Sequence, residues 1–252
     1  MRVGVLLPPP EVAGGFADGA RTAVHHVLER GLDLDVRPGY TGEPDASWDA
    51  VLCHGVQYRE WLTEHRGALR AVLTDRPTDV TGLEGITLVD WGWHEAAYEA
   101  GRFAARQAAG APVGLVAGPA VLTQRRFGQA FTEGAYENGH TAAISVVHVR
   151  AFDDVGGGRR AGEVLAGELN CAVVAHAADS AGEAACTAAR DLGARTIGFI
   201  EPLNHHAATV HSDIGGVLGH LLEALTTGAA LPEIYECGIG TGHLALVTEA
   251  TR

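Results

Sequence analysis

Short aliphatic runs alternate with alanine-rich stretches along almost the whole chain. Runs of this length, rich in Val, Leu and Ile and closed by polar or glycine-containing segments, predict strands. They fall at Arg2–Leu7, Leu32–Arg37, Ala50–His54, Leu69–Thr74, Ile86–Val89, Val113–Ala117, Ala143–Val149, Cys171–His176, Thr196–Ile200, Glu233–Cys237 and Leu244–Val247. Helical periodicity fills the intervals near Gly15–Arg30, Tyr58–Glu64, His94–Ala109, Gln124–Asn138, Gly158–Leu169, Gly182–Leu192 and Asp213–Thr226. Continuously apolar strands such as Val113–Ala117 suit a parallel sheet covered on both faces. Their alternation with helices is the signature of a doubly wound α/β architecture.

Eleven strands are many for one sheet, so the pattern predicts two Rossmann-like lobes. Gly110-Ala111-Pro112 reads as the boundary between them, because a fresh strand–helix series starts there. The expected lobes are residues 1–110 with about 205–231, and residues 111–204 with about 232–252.

Composition narrows the function. Over 252 residues the chain is 46% hydrophobic and 19% charged, enough for a sizeable core. The net charge is −13, from 31 acidic and 18 basic residues, and every basic residue is Arg. That balance argues against a nucleic-acid partner and against an anionic membrane surface. The absence of lysine closes Schiff-base chemistry and the P-loop. The apolar run Val3–Leu7 ends at Pro8-Pro9-Pro10, too early for a secretory signal, which predicts a cytoplasmic protein. The cysteines Cys53, Cys171, Cys186 and Cys237 are widely spaced and read as buried free thiols.

Five ordered segments carry a family resemblance. DWGWHEAAYEAGRFAA (Asp90–Ala105), VGLVAGPAVLTQRRFGQAFTEGAYENG (Val113–Gly139), VRAFDDVGGGRRAGEVL (Val149–Leu165), VVAHAADSAGEAA (Val173–Ala185) and IGFIEP (Ile197–Pro202) resemble successive motifs of the basic membrane protein family of solute-binding proteins. The resemblance implies a type I periplasmic-binding-protein fold with three crossovers, near Ala109–Pro112, Pro202–Ala207 and Gly228–Glu233. It also implies a small-molecule ligand held between the lobes, of the purine-nucleoside kind that characterised relatives bind. Phe16 resembles the family's stacking Phe, although the segment around it reads GGFADGA. Glu201 stands where the family has an Asp that holds ribose hydroxyls.

In open parallel sheets, ligand groups come from loops at the carboxyl ends of strands. Together with Phe16, those ends supply the candidate ligand-binding set: His54, Asp75, Trp91, Trp93, Phe152, His176, Asp179 and Glu201. Aromatic faces for stacking and carboxylates for hydroxyls suit a planar, polar ligand. Two functions follow. One is a nucleoside-like receptor that closes on its ligand without catalysis. The other is an enzyme on the same scaffold, with His54, His176, Glu201 and His211 as candidate acid/base or metal-assisting groups. A regulator acting through protein partners is a third reading with no dedicated module to support it.

No cofactor and no metal are expected. The segment Asn204-His205-His206 to His211 and Asp213 is rich in imidazole, yet its HHx4H spacing matches no closed zinc template. Asp153-Asp154 ahead of Gly156–Gly158 reads as a helix cap, since two carboxylates would repel phosphate. Gly238–Gly242 reads as a turn, and Phe127 with Phe131 as core.

Overall fold

The computed structural model describes residues 1–12, 14–200 and 204–248. In chain order these form β1 (Val3–Leu7), α1 (Gly15–Glu29), β2 (Leu34–Pro38), β3 (Ala50–Cys53), α2 (Arg59–Glu64), β4 (Arg70–Leu73), β5 (Thr87–Trp91) and α3 (Trp93–Ala108). There follow β6 (Val113–Ala117), α4 (Leu122–Glu137), β7 (Ile144–His148), α5 (Val155–Glu163), β8 (Val173–Ala177), α6 (Asp179–Asp191) and β9 (Arg195–Ile200). The chain ends with β10 (Ala208–Ser212), α7 (Ile214–Thr227), β11 (Ile234–Cys237) and β12 (Leu244–Thr248). A 3-10 turn at Val56–Tyr58 leads into α2, and a π-helical turn at Val164–Glu168 extends α5.

The elements sort into two compact α/β units. The first contains residues 1–91 and 213–243, the second residues 92–212 and 244–252. The first unit's sheet has the order β11-β5-β4-β3-β1-β2, with every pairing parallel. The second has β12-β10-β9-β8-β6-β7, parallel except for β12, which runs antiparallel to β10. In each sheet the strand order reverses at the unit's first strand, β1 or β6. That is the doubly wound switch point, outside whose carboxyl ends ligands bind in open α/β sheets. β1, β3, β6 and β8 are buried at every residue, as strands covered on both faces must be.

The boundaries differ from the expected ones. Gly110–Pro112 is a tight turn within the second unit, where Ala109 (φ 49°) and Gly110 (φ 91°) both lie in the left-handed region. The same Gly-Pro punctuation serves a helix-to-strand turn as well as a linker. The chain changes unit at 91/92, 212/213 and 243/244, so α3 belongs to the second unit while β11 pairs with β5 in the first. β10 is the strand absent from the expected set; it lies inside the imidazole-rich stretch that read as a polar crossover.

Glycines explain several of the family-like motifs. A β-carbon at Gly101 would lie 1.9 Å from the carbonyl oxygen of Phe131, and one at Gly134 would lie 2.0 Å from that of Tyr98. Backbone therefore meets backbone where α3 crosses α4. Gly158 and Gly162 do the same for α5 against α6, at 1.9 Å from Ala181 O and 2.1 Å from Ala185 O. In the Gly156–Gly158 run it is thus Gly158 that packs on α6, and Asp154 caps α5 by accepting the Gly157 N–H at 2.9 Å. Phe127 and Phe131 are core, and all four cysteines are free and buried.

Candidate functional site

In the first unit, the loop after β1 is shaped by three prolines and held by Arg21. Its guanidinium donates to Pro9 O at 2.9 Å and Val12 O at 2.7 Å, and pairs with Asp18 at 2.6 Å. The loop delivers Phe16 to the first turn of α1, half-buried. Its ring stacks on His54 (centroids 4.2 Å, 27°) and meets Trp91 edge-on at 6.1 Å. These residues stand on the loops or ends of β1, β3 and β5, so the switch point gathers them as the strand-end rule requires.

His54 is fully buried, and both ring nitrogens are engaged. A carbonyl can only accept, so Nε2–H donates to Phe16 O (3.0 Å), and Nδ1 accepts from the Thr74 hydroxyl (2.7 Å). Burial pushes its pKa down to about 4, against the Phe16 carbonyl and with help from the Arg21 charge. His54 is therefore a neutral prop for the aromatic floor rather than an acid/base group. The Trp91 Nε1–H donates to Thr74 O at 2.7 Å and ties the ends of β4 and β5 together. Asp75 follows Thr74. Burial raises its carboxyl to about 6, opposed by the Val56 N–H and reinforced by the charge of Asp90. Asp90 is itself bonded to Arg76. An aromatic floor, joined through Thr74 to the residue carrying a carboxyl of raised pKa, can take a ring with hydrogen-bonding hydroxyls.

The second unit has its own carboxyl-end group. Phe152 is 39% exposed and lies over Gly118, where a β-carbon would come 2.3 Å from its Cε1. Its carbonyl accepts the Ala181 N–H at 2.9 Å, fixing the loop to α6. Asp179 (φ 41°) and Ile200 (φ 71°) are non-glycine residues in the left-handed region at the ends of β8 and β9. Backbone strain of this kind concentrates at ligand sites. Trp93 opens α3 with its ring 5.1 Å from Phe199, which in turn meets Phe127 at 5.6 Å. Glu201 lies outside the described residues.

His176 meets the Phe199 ring edge-on at 6.4 Å, but its polar contacts lie elsewhere. Its side chain is 1% exposed, and its Nε2 lies 2.9 Å from Glu183 Oε1. His206 Nε2 reaches the same oxygen at 3.1 Å and Oε2 at 3.3 Å. His205 Nε2 lies 3.6 Å from Oε2. Thr196 Oγ1 sits 2.8 Å from His206 Nδ1. Two glycines make room for the imidazoles. A β-carbon at Gly182 would fall 2.0 Å from His176 Nδ1, and one at Gly198 would fall 2.5 Å from His206 Cδ2. Burial raises the Glu183 carboxyl, but hydrogen bonds from His176 and His206, with their charge, outweigh it and hold the pKa well below the usual carboxylate range. Desolvation lowers His205, and the neighbouring His206 adds to this.

The other residues of the imidazole-rich segment stand apart. His211 Nδ1 bonds Ile200 O at 3.0 Å, and Asp213 caps α7 by accepting the Gly216 N–H at 2.9 Å. Of the acid/base candidates among the described residues, His54 and His211 thus bond backbone carbonyls, and His176 alone joins a polar cluster. Glu183, absent from the candidates, is the residue on which that cluster converges. Its signal in the sequence is faint: it lies one helical turn beyond Asp179 on α6, on the face turned toward β8.

Residues 73–204, more than half of the chain, match the Bmp family, described as ABC transporter substrate-binding protein PnrA-like. No curated protein sequence is detectably similar to the chain. Among solved structures, the chain is similar over its whole length to an ABC transporter system solute-binding protein from Aeropyrum pernix K1 (18% identity, 77% of that chain, TM-score 0.83). It is also similar over its whole length to a transcriptional activator of the comK gene from Bacillus halodurans (17% identity, 92% of that chain, TM-score 0.79). A periplasmic solute-binding protein from Actinobacillus succinogenes 130z with bound D-allose matches 99% of this chain and 98% of its own (11% identity, TM-score 0.79). At these identities the likeness is one of fold: the two-sheet architecture is that of type I periplasmic-binding proteins.

Proposed function

Because the chain belongs to the PnrA-like family of ABC transporter substrate-binding proteins, we propose that it is a non-catalytic receptor for a small polar solute of the nucleoside class. The observation that carries this reading is the floor formed by Phe16 on His54, edged by Trp91, with Asp75 next in the chain to Thr74, which bonds both His54 and Trp91. A nucleobase stacks on such a ring, and a carboxylate accepts ribose hydroxyls. Phe152 and Asp179 repeat the pairing of an aromatic with a carboxylate at the switch point of the second unit. The backbone strain at Asp179 and Ile200 fits a loop shaped for a ligand. The bound D-allose of one structural neighbour supports a hydroxyl-rich ligand as well as the fold.

Calorimetric titration with purine and pyrimidine nucleosides and with free monosaccharides tests the reading. Nucleoside binding is expected. Heat from sugars alone removes the nucleoside part, and no heat from either set removes the solute class. Phe16→Ala is expected to weaken nucleoside binding by about 1–3 kcal/mol, the value of a base–aromatic stack, while Phe16→Tyr retains most of the affinity. Equal losses in both variants would mean that the ring supports the loop and does not touch the ligand.

A further inference from the structure

We propose that His176, Glu183 and His206 form a binding site for a divalent transition-metal ion of the zinc type in the second unit. One ligand atom from each lies within 4.8 Å of the others. The Nε2 atoms of His176 and His206 stand 2.9 and 3.1 Å from Glu183 Oε1. Zinc with bonds of about 2.0–2.1 Å sets tetrahedral neighbours about 3.3 Å apart, so the two His–Glu separations need open by only a few tenths of an ångström, and the ligand nitrogens of the two imidazoles stand within 4.8 Å of each other. Two imidazoles and a carboxylate select zinc or a neighbouring late first-row ion over magnesium and calcium, which take oxygen ligands.

Three further features point the same way. The ligands come from three separate segments: β8, α6 and the segment before β10. Gly182 and Gly198 leave no room for a β-carbon beside the two rings, so each imidazole is held in place from behind. Thr196 Oγ1 lies on Nδ1 of His206, on the far side of the ring from Glu183. Metal-bound histidines carry such a partner, which fixes the tautomer that leaves Nε2 open to the ion. In the metal-free chain both Nε2–H groups donate to Glu183, so metal binding moves each ring proton to Nδ1. Thr196 can accept the proton of His206. At His176 the Ala178 N–H, 3.5 Å from Nδ1, must give way.

The remaining coordination position has two sources. His205 Nε2 is 3.6 Å from Glu183 Oε2, and its side chain is 45% exposed. His205 and Thr196 line an open groove of about 490 Å³, which gives solvent a path to the cluster. The site uses none of the residues on which the solute-binding reading rests and does not depend on that reading.

The test is calorimetric titration of chelator-treated protein with zinc chloride, with anomalous diffraction at the zinc edge from soaked crystals. One ion per chain at micromolar affinity or tighter is expected, located between the three named atoms. Glu183→Gln and His206→Gln should each weaken binding at least about 100-fold, and Thr196→Val about 10–100-fold through the orientation of the ring. His25→Gln, in the exposed His25–His26 pair, should leave binding unchanged. Unaltered binding in Glu183→Gln, an ion found elsewhere, or affinity no tighter than millimolar overturns the proposal and leaves a purely hydrogen-bonded cluster. The diffraction result needs no variant, so it decides the matter even if a substituted chain fails to fold.

Discussion

Gly101→Ala and Gly134→Ala are each expected to destabilise the protein by about 3 kcal/mol or more, the upper part of the range for overpacking. The cause lies in the backbone. The added carbon would meet the Phe131 carbonyl oxygen at 1.9 Å in one case and the Tyr98 carbonyl oxygen at 2.0 Å in the other. No rotamer change relieves either clash, because both partners are main-chain atoms, so the helices α3 and α4 must separate. Once they have separated for the first methyl, the second costs little. The double variant should therefore fall well short of the sum, as expected for coupled neighbours. Gly219→Ala in α7 is the matching control. A β-carbon there meets nothing within 4 Å, and the substitution should stabilise by about 0.5–1 kcal/mol through helix propensity. Urea denaturation midpoints of the four variants measure all of this. A single variant at the α3–α4 crossing that unfolds within 1 kcal/mol of the parent, on the scale of ordinary substitutions, would show that the crossing is looser than described.

Asp75→Asn is expected to raise stability at pH 7 by about 1–2 kcal/mol and to weaken solute binding at the same time. The folded pKa of about 6 lies above the ordinary carboxylate value of 3.8. The unfolded chain therefore ionises first, and stability falls as pH rises between those values and stays low above them. Two pKa units correspond to nearly 3 kcal/mol at most, and partial solvation of the carboxyl reduces that. His54 acts in the opposite sense. Its folded pKa of about 4 lies below the ordinary 6.5, so it contributes stability that is present above pH 6.5 and lost as pH falls toward 4.

The two residues therefore oppose each other over nearly the same window, and the parent protein should show a shallow profile there. Asp75→Asn exposes the His54 slope: midpoints should be higher than the parent's at pH 7 and converge with them near pH 4. The Asn side chain can still accept the Val56 N–H, so the loop keeps its hydrogen bond. Parallel profiles for parent and variant would show that Asp75 ionises as freely in the folded protein as in the unfolded one.

How far the sequence reached is clearest residue by residue. β1 and β6 were legible because their runs are apolar at every position, and β8 because only His176 interrupts its run, so none needs tertiary information. β10 was not. Its apolar residues Ala208 and Val210 alternate with Thr209 and His211, and the imidazoles on either side outweighed that period. The lobe boundary at Gly110 was misplaced because a turn and a linker use the same residues. At the first unit's switch point, the strand-end rule gave His54, Asp75 and Trp91 and the family resemblance gave Phe16; the rings of Phe16, His54 and Trp91 meet there. The strand-end rule could not tell a ring that faces solvent from one such as His54, whose nitrogens are both consumed by neighbours. Glu183 escaped altogether. Its partners are set by how α6 lies on β8 and by where the segment before β10 returns, and no linear spacing encodes either. The glycines of the family-like helices were visible as letters, while their meaning, helix backbones in contact, belongs to packing.

The division of the chain has a consequence for synthesis. The second unit draws five of its six strands and all four of its α-helices from the continuous stretch 92–212, and lacks only the edge strand β12. The first unit begins the chain but takes α7, which packs on α1, and β11, which pairs with β5, from residues 213–243. As the nascent chain leaves the ribosome, the amino-terminal sheet waits with an open β5 edge and an uncovered α1 while the whole middle of the protein is made. An exposed parallel edge is an invitation to wrong pairing. The half of the protein translated first is therefore the half that finishes folding late, and the interval between the two is where a trailing chaperone has the most to protect.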